Sequence, residues 1–230
     1  MLLAIDTATR ELSIALHDGD TLIGEYSWLA GNRHTTALAP ALNSLLDACN
    51  TPVDELSALA VATGPGSFTG LRIGMSLVKG LAAARKLPLV GASTLDILAF
   101  GQPFYQSGSG LIAVVQAGRG RIIVNSYRWS KGRWNSRSEP RLMEWEDLLA
   151  TIDGPAYITG EIDTDGMEAI TAVQQANESA AQINVAPPAN RLRRAGYLAE
   201  HAWEQLRAAG EDRSAFDPAK VLPVYIQTTD

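Results

Sequence analysis

The chain has one cysteine, Cys49. A single thiol excludes an intramolecular disulfide and a cysteine-based zinc site, and it fits a reducing cytosol better than secretion. Histidine is nearly as scarce. His17, His34 and His201 stand apart and none forms a His-x-x-x-His pair, so a catalytic zinc or iron site lacks paired ligands at one-turn spacing. His34, just before Thr35-Thr36, is expected to be a capping or surface residue. No apolar run approaches the roughly 18 residues of a membrane-spanning helix, and the N-terminal Met1-Leu2-Leu3-Ala4-Ile5-Asp6 has no basic flank, which predicts a soluble cytoplasmic protein. Positive charge is in deficit. A net charge of −6 disfavours bulk, sequence-independent attraction to nucleic acid.

Hydrophobic residues make up 46% of 230 positions, enough for a real core in one large or two modest domains. The charge is uneven. Between Arg119 and Arg141 lie Arg121, Arg128, Lys131, Arg133 and Arg137 with Glu139 the sole acid, and Trp129 and Trp134 are interleaved. This stretch reads either as a solvated hairpin or as a secondary contact for tRNA or an acidic partner.

Apolar runs predict strands over Leu2–Ile5, Leu12–Leu16 and Thr21–Trp28, with a hairpin at Asp18-Gly19-Asp20. A helix over Thr35–Cys49 carries Leu38, Leu42, Leu45, Leu46 and Cys49 on one stripe, starting late or kinking at Pro40. Strand Ala58–Thr63, helix Thr69–Lys86, strand Leu89–Val90 and helix Leu95–Phe100 follow, then a turn-rich linker over 101–110. The order then restarts. Strands Leu111–Val115, Arg121–Trp129 and Arg133–Arg137 precede helix Glu144–Ala150, strand Ala156–Thr159, helix Asp165–Asn177 and strand Ile183–Ala186. Two halves with the same opening suggest an internal duplication. A long helix over Arg191–Ala209 is expected to pack between or across the halves, and Pro223-Val224-Tyr225-Ile226 reads as a terminal strand or turn.

The densest motif is Gly64-Pro65-Gly66-Ser67-Phe68-Thr69-Gly70-Leu71-Arg72-Ile73-Gly74. It is a strand end, a tight loop and a helix N-terminus in one stretch, with Ser67 or Thr69 as N-cap and free N–H groups at the positive end of a helix dipole. It is not a nucleotide P-loop: five residues separate Gly64 from Gly70 and no Lys-Ser or Lys-Thr pair follows. Nor is it a serine-hydrolase elbow, since Gly66-Ser67-Phe68 lacks the Gly-x-Ser-x-Gly pattern. The following helix is apolar all round, so both faces need cover. One can lie on a sheet. The other needs the Leu38–Cys49 helix, a partner chain or the second half, and Gly70, Gly74 and Gly80 would permit close helix approach.

Asp6-Thr7-Ala8-Thr9, at the end of the first strand, is similar to the first phosphate loop of actin-like ATPases and sugar kinases, in which an acid positions a metal and a Gly-rich turn reaches phosphate. Here the acid is kept and the glycine is missing. In the second half the equivalent turn is Gln116-Ala117-Gly118-Arg119-Gly120, with Gln116 where an acid is sought, which weakens metal binding. Asp6, Gly118 and Gly120 are thus a candidate vestigial nucleotide site.

The long glycine motif, with Leu3-Ala4-Ile5-Asp6-Thr7-Ala8, resembles the bacterial TsaB proteins, also called YeaZ. The match spans the whole length. The His34 helix start, Pro88-Leu89-Val90-Gly91-Ala92-Ser93-Thr94 and Pro223-Val224-Tyr225-Ile226 fall where that family places them. The resemblance implies an α/β, actin-like, ribonuclease-H-type fold of two similar lobes, expected over 1–105 and 106–230. It also implies a non-catalytic role in making the threonylcarbamoyladenosine beside the anticodon of tRNAs that read codons starting with A. In that pathway such a chain binds and activates the metal-bearing ligase TsaD, with the ATPase TsaE, so ATP and metal belong to the partners. The family's association surface uses its first two helices, which assigns Leu38, Leu42, Leu45, Leu46, Cys49, Gly70, Ile73, Gly74 and Leu77 to the contact. A homodimer in the absence of TsaD is left open. Many relatives have Asp-Ala-Arg where this chain has Gln116-Ala117-Gly118-Arg119. The rival reading is a divergent actin-like ATPase or small-molecule kinase using Asp6 and the Gly118–Gly120 turn.

Overall fold

The structure, a computed structural model, describes residues 1–176 and 182–226. In chain order, strands β1 (Leu2–Asp6), β2 (Glu11–His17) and β3 (Leu22–Leu29) lead to helix α1 (His34–Ala48). Then come β4 (Ala58–Gly64), α2 (Phe68–Arg85), β5 (Leu89–Ser93) and α3 (Thr94–Phe100). After these come β6 (Gly110–Gly118), β7 (Arg121–Ser130), β8 (Arg133–Ser136), β9 (Arg141–Met143) and α4 (Trp145–Ala150). The chain continues with β10 (Ala156–Gly160), α5 (Thr164–Ala176), β11 (Ile183–Val185) and α6 (Ala195–Ala209). Among the described residues no helix is long and apolar enough to cross a membrane.

The chain forms two compact units, Met1–Ile97 with Arg193–Tyr225, and Leu98–Leu192 with Ile226. In the first, the sheet order is β3-β2-β1-β4-β5, with β1, β2 and β3 antiparallel and β1, β4 and β5 parallel. All of β1 is buried. Alternation sorts its side chains: Leu3 and Ile5 join the layer under α1 and α2, while Leu2 and Ala4 join the layer under α6. The hairpin after β2 forms at the expected residues. Asp18 Oδ1 accepts the N–H groups of Asp20 and Thr21, both at 2.8 Å, and Gly19 takes φ +116°. Those N–H groups hold the Asp18 carboxyl below the usual carboxylate range.

The second unit repeats the plan. Its sheet runs β8-β7-β6-β10-β11, with β6, β7 and β8 antiparallel and β6, β10 and β11 parallel. Strand for strand this is the first sheet again, so the duplication expected from sequence is present in the topology. One element had no sequence signal: three-residue β9 adds to β7 with Met143 opposite Ile122.

The boundaries differ from 1–105 and 106–230 because the chain returns. The stripe Leu198, Ala199, Ala202 and Leu206 of α6 buries on the face of Leu2, Ala4, Ala15, Ala58 and Ala60, which makes the last helix part of the first unit. It begins at Ala195, not Arg191, with N-cap Arg194 extended at φ −106° and ψ 129°. Pro40 lies inside α1, which runs unbroken from His34, and Cys49 is its C-cap. Asn177, the expected end of the helix at α5, and residues 227–230 of the expected second lobe lie outside the described residues.

Candidate functional site

The motif loop of the first unit is shaped by the turn after β1. Ser67, the N-cap of α2, accepts from Gly70 N at 3.2 Å, which decides between Ser67 and Thr69. Ser67 N donates to Ala8 O at 2.6 Å, and Thr7 Oγ1 donates to Gly70 O at 2.7 Å. Backbone thus lies directly on backbone. A Cβ at Gly66 would sit 2.1 Å from Ala8 O, one at Gly70 2.3 Å from Thr7 O, and one at Gly74 2.4 Å from Thr7 Oγ1. The glycines of the motif seat the Thr7–Ala8 turn on the start of α2. Gly70 and Gly74, expected at or near a partner contact, turn their Cβ positions toward Thr7 of their own chain. Of the three glycines of α2, Gly80 alone has open space around its Cβ position.

At the rim of the loop, Phe68 is 53% exposed. Its ring lies 5.2 Å from that of Tyr225, with the Arg72 guanidinium 3.7 Å over it. Val224 N donates to Thr63 O at 2.7 Å, fixing the C-terminal segment alongside the end of β4; Pro223–Ile226, read from sequence as a terminal strand or turn, is extended along it and forms neither. Leu71, next in the motif, is fully buried, and Pro65 and Thr69 complete the loop.

Asp6 sits beneath this loop at 1% exposure, and its Oδ2 accepts from Arg193 Nε at 3.1 Å. Its Oδ1 accepts from Ala8 N at 2.8 Å. Arg193, also 1% exposed, bonds Thr9 Oγ1 and has Glu11 Oε2 at 3.8 Å from Nη1. Next to it, Glu25 takes Arg194 Nε and Gly196 N, each at 2.8 Å, tying the start of α6 to β3. The Glu25 hydrogen bond raises the Arg194 pKa further above its ordinary value.

This arrangement does not fit magnesium at Asp6. Both carboxylate oxygens are engaged and a guanidinium occupies the place of a cation. Sequence reasoning missed Arg193 because it was read as one position of a long helix. Its neighbours Arg191 and Arg194 are only partly buried and Leu192 is exposed, so no local signal set Arg193 apart.

The remaining expected positions divide by burial. Leu38, Leu42, Leu45 and Leu46 are 1–6% exposed and pack into the core under the first sheet. The stripe that the resemblance assigned to a partner contact is the face α1 lays on its own sheet. Cys49, Ile73 and Leu77 are half-buried at the edge of that core. His34 is buried, not a surface cap, at the first position of α1, and its Nε2 has no hydrogen-bond partner among the described residues. Among the described residues no three His, Cys, Asp or Glu side chains converge as a metal set.

In the second unit Gly118, Arg119 and Gly120 all take positive φ in the β6–β7 hairpin, with open space around both glycines. Gln116 is tied to Glu161, its N donating to Glu161 Oε2 at 2.9 Å and its Nε2 to Glu161 O at 3.1 Å. A carboxylate thus stands beside the position where sequence found only an amide. Asp6 and the Gly118–Gly120 turn belong to different units.

Residues 28–218 match the family described as TsaD, tRNA N6-adenosine threonylcarbamoyltransferase. The tRNA threonylcarbamoyladenosine biosynthesis protein TsaB of Bacillus subtilis is 29% identical over 236 residues, spanning all of this chain and 95% of that protein. The chain belongs to the TsaB (YeaZ) family. The Escherichia coli TsaB is 34% identical over 146 residues, 63% of each protein. The solved YeaZ of Pseudomonas aeruginosa superimposes with a TM-score of 0.73 at 24% identity, covering 98% of this chain and 99% of that one. The actin-like, ribonuclease-H-like fold that the resemblance implies is the fold observed, and the named TsaB relatives are tRNA threonylcarbamoyladenosine biosynthesis proteins.

Proposed function

We propose that this chain is a non-catalytic partner in tRNA threonylcarbamoyladenosine synthesis. It binds and activates TsaD, with TsaE, for transfer of threonylcarbamoyl to the adenosine beside the anticodon of tRNAs that read codons starting with A. ATP and metal act on TsaE and TsaD, in the cytoplasm. The observation that carries the reading is the whole-length likeness to TsaB in a chain whose Asp6 is engaged by Arg193 instead of standing open for a cation. Activation is a coupling free energy, since binding must favour the active conformation of TsaD over the inactive one. The accessible apolar edge of α1 and α2, with Ala37, Ala41, Ile73 and Leu77 half-buried, is the surface we assign to TsaD. The same edge would close a homodimer when TsaD is absent.

The test is size-exclusion chromatography with light scattering on the chain alone, with TsaD, and with TsaD, TsaE and ATP. A stable complex with TsaD is expected. Failure to form one, together with magnesium-dependent nucleotide binding by the lone chain that Asp6→Ala abolishes, would move the reading to an actin-like ATPase or kinase.

A further inference from the structure

The second unit carries a groove with no part in the contact proposed above. Phe104, Ser107, Arg128, Trp129 and Arg137 line a pocket of about 430 Å³. It shares Gly108, Gly110, Tyr127 and Arg137 with a neighbouring pocket of about 270 Å³, which Arg141 and Ser138 also line. Shared walls make the two one depression along β7.

Three features of this depression point to one kind of occupant. Arg128, Arg137 and Arg141 are exposed, and their guanidinium groups have no hydrogen bond or ion pair with any described residue. Phe104 is 48% exposed and its ring lies 5.3 Å from that of half-buried Trp129. Trp129 in turn meets Trp134 edge-on at 5.3 Å, and Trp134 is held at 8% exposure with Nε1 donating to Gln102 O at 3.2 Å. The exposed ring therefore has a fixed backing. The charge is also concentrated: residues 119–141 hold seven Lys or Arg against one acid, leaving 12 cations against 24 acids in the rest of the chain. A polyanion is steered to this face although the whole chain is negative.

We propose that this groove binds a single-stranded RNA segment, with phosphates on Arg128, Arg137 and Arg141 and a base stacked on the Phe104–Trp129 platform. An acidic protein surface would account for the arginines but not for the exposed ring beside them. The polar floor is saturated: the Asn125 side chain donates to Ser136 Oγ at 2.9 Å and accepts from Ser138 Oγ at 3.0 Å and Ser126 N at 2.9 Å. Binding should therefore show little base preference. Identifying the strand as part of the tRNA substrate rests on the function proposed above; the binding itself does not.

Fluorescence anisotropy with a labelled oligouridine and the chain alone tests it. Three phosphate contacts predict that log K falls with log salt with a slope of about −2. Arg128→Glu with Arg137→Glu should weaken binding at least tenfold, with the milder Arg137→Gln as a second variant and circular dichroism as the folding check. Phe104→Ala should weaken it roughly tenfold at unchanged slope, and Arg33→Glu in the first unit should leave it unchanged. Equal affinity for an RNA duplex, displacement by polyglutamate as readily as by RNA, or indifference to the arginine variants would each overturn the proposal. Measuring TsaD binding by the same variants separates the two readings: loss of the groove leaves TsaD binding intact, and failure to bind TsaD leaves the RNA titration standing.

Discussion

Arg193 Nε and Asp6 Oδ2 lie 3.1 Å apart with both side chains 1% exposed, which puts a guanidinium from the lead-in to α6 against the acid that ends β1. A pair taken this far out of water is costly to break from one side, because the surviving charge is left buried. Asp6→Asn should destabilise the chain by about 3 kcal/mol, and Arg193→Met by a similar amount. The estimate sits at the low end because Glu11 and Thr9 also face the guanidinium. The double variant should recover part of the loss. Urea denaturation of the four proteins measures the coupling, and additive losses would mean that the pair contributes nothing as a pair.

The motif glycines give a second prediction whose sign changes along one helix. Gly70→Ala puts a methyl 2.3 Å from a backbone oxygen, so the Thr7–Ala8 turn or α2 must shift, at about 1–3 kcal/mol. Gly80 on the same helix has nothing within 4 Å, and Gly80→Ala should stabilise by about 0.5–1 kcal/mol through the backbone entropy of the unfolded chain. Thermal unfolding of the two variants checks both. Equal effects would mean that the contact between the turn and the helix is not as close as described.

Most of the fold was legible because each element carries its own period. The apolar run of β1, the Leu38–Leu46 stripe and the Asp18-Gly19 turn are local signals, and they fell within one or two residues of the observed ends. What failed was non-local. Nothing within Leu38, Leu42, Leu45 and Leu46 tells whether an apolar stripe covers its own sheet or a partner, and nothing near Gly70 and Gly74 reveals that Thr7 presses on them from 60 or more residues away. Arg193 and Asp6, separated by 187 positions, meet only once α6 returns to the first sheet.

In the second unit, Tyr157 is 4% exposed, its ring stacked on Tyr105 at 4.5 Å and 15°. Burial, first, pushes its phenol pKa up. A raised folded value means that the folded chain keeps a proton the unfolded chain releases near pH 10. Stability from this group is therefore fully present below about pH 10 and is lost as pH rises through the higher folded value. Tyr157→Phe should flatten the alkaline fall of the urea midpoint, and tyrosinate absorbance should show one fewer late-titrating phenol. An unchanged alkaline slope would mean that another group governs it.

The proposed contact with TsaD is best probed where a charge does not first unfold the chain. Leu45 is 1% exposed in the core under the first sheet, so Leu45→Asp buries an unpaired carboxylate and should lower the thermal midpoint before any partner is added. Ile73 is half-buried at the edge of that core. Ile73→Asp leaves the carboxylate within reach of water in the free chain, with a modest loss of stability, but desolvates it when the α1–α2 edge is covered. The expected pattern is a folded Ile73→Asp protein with TsaD affinity reduced at least tenfold. Calorimetric titration of TsaD into the folded variant decides it: undiminished affinity would place the contact elsewhere on the first unit, and the exposed Phe68, Arg72 and Tyr225 cluster would be the next surface to change.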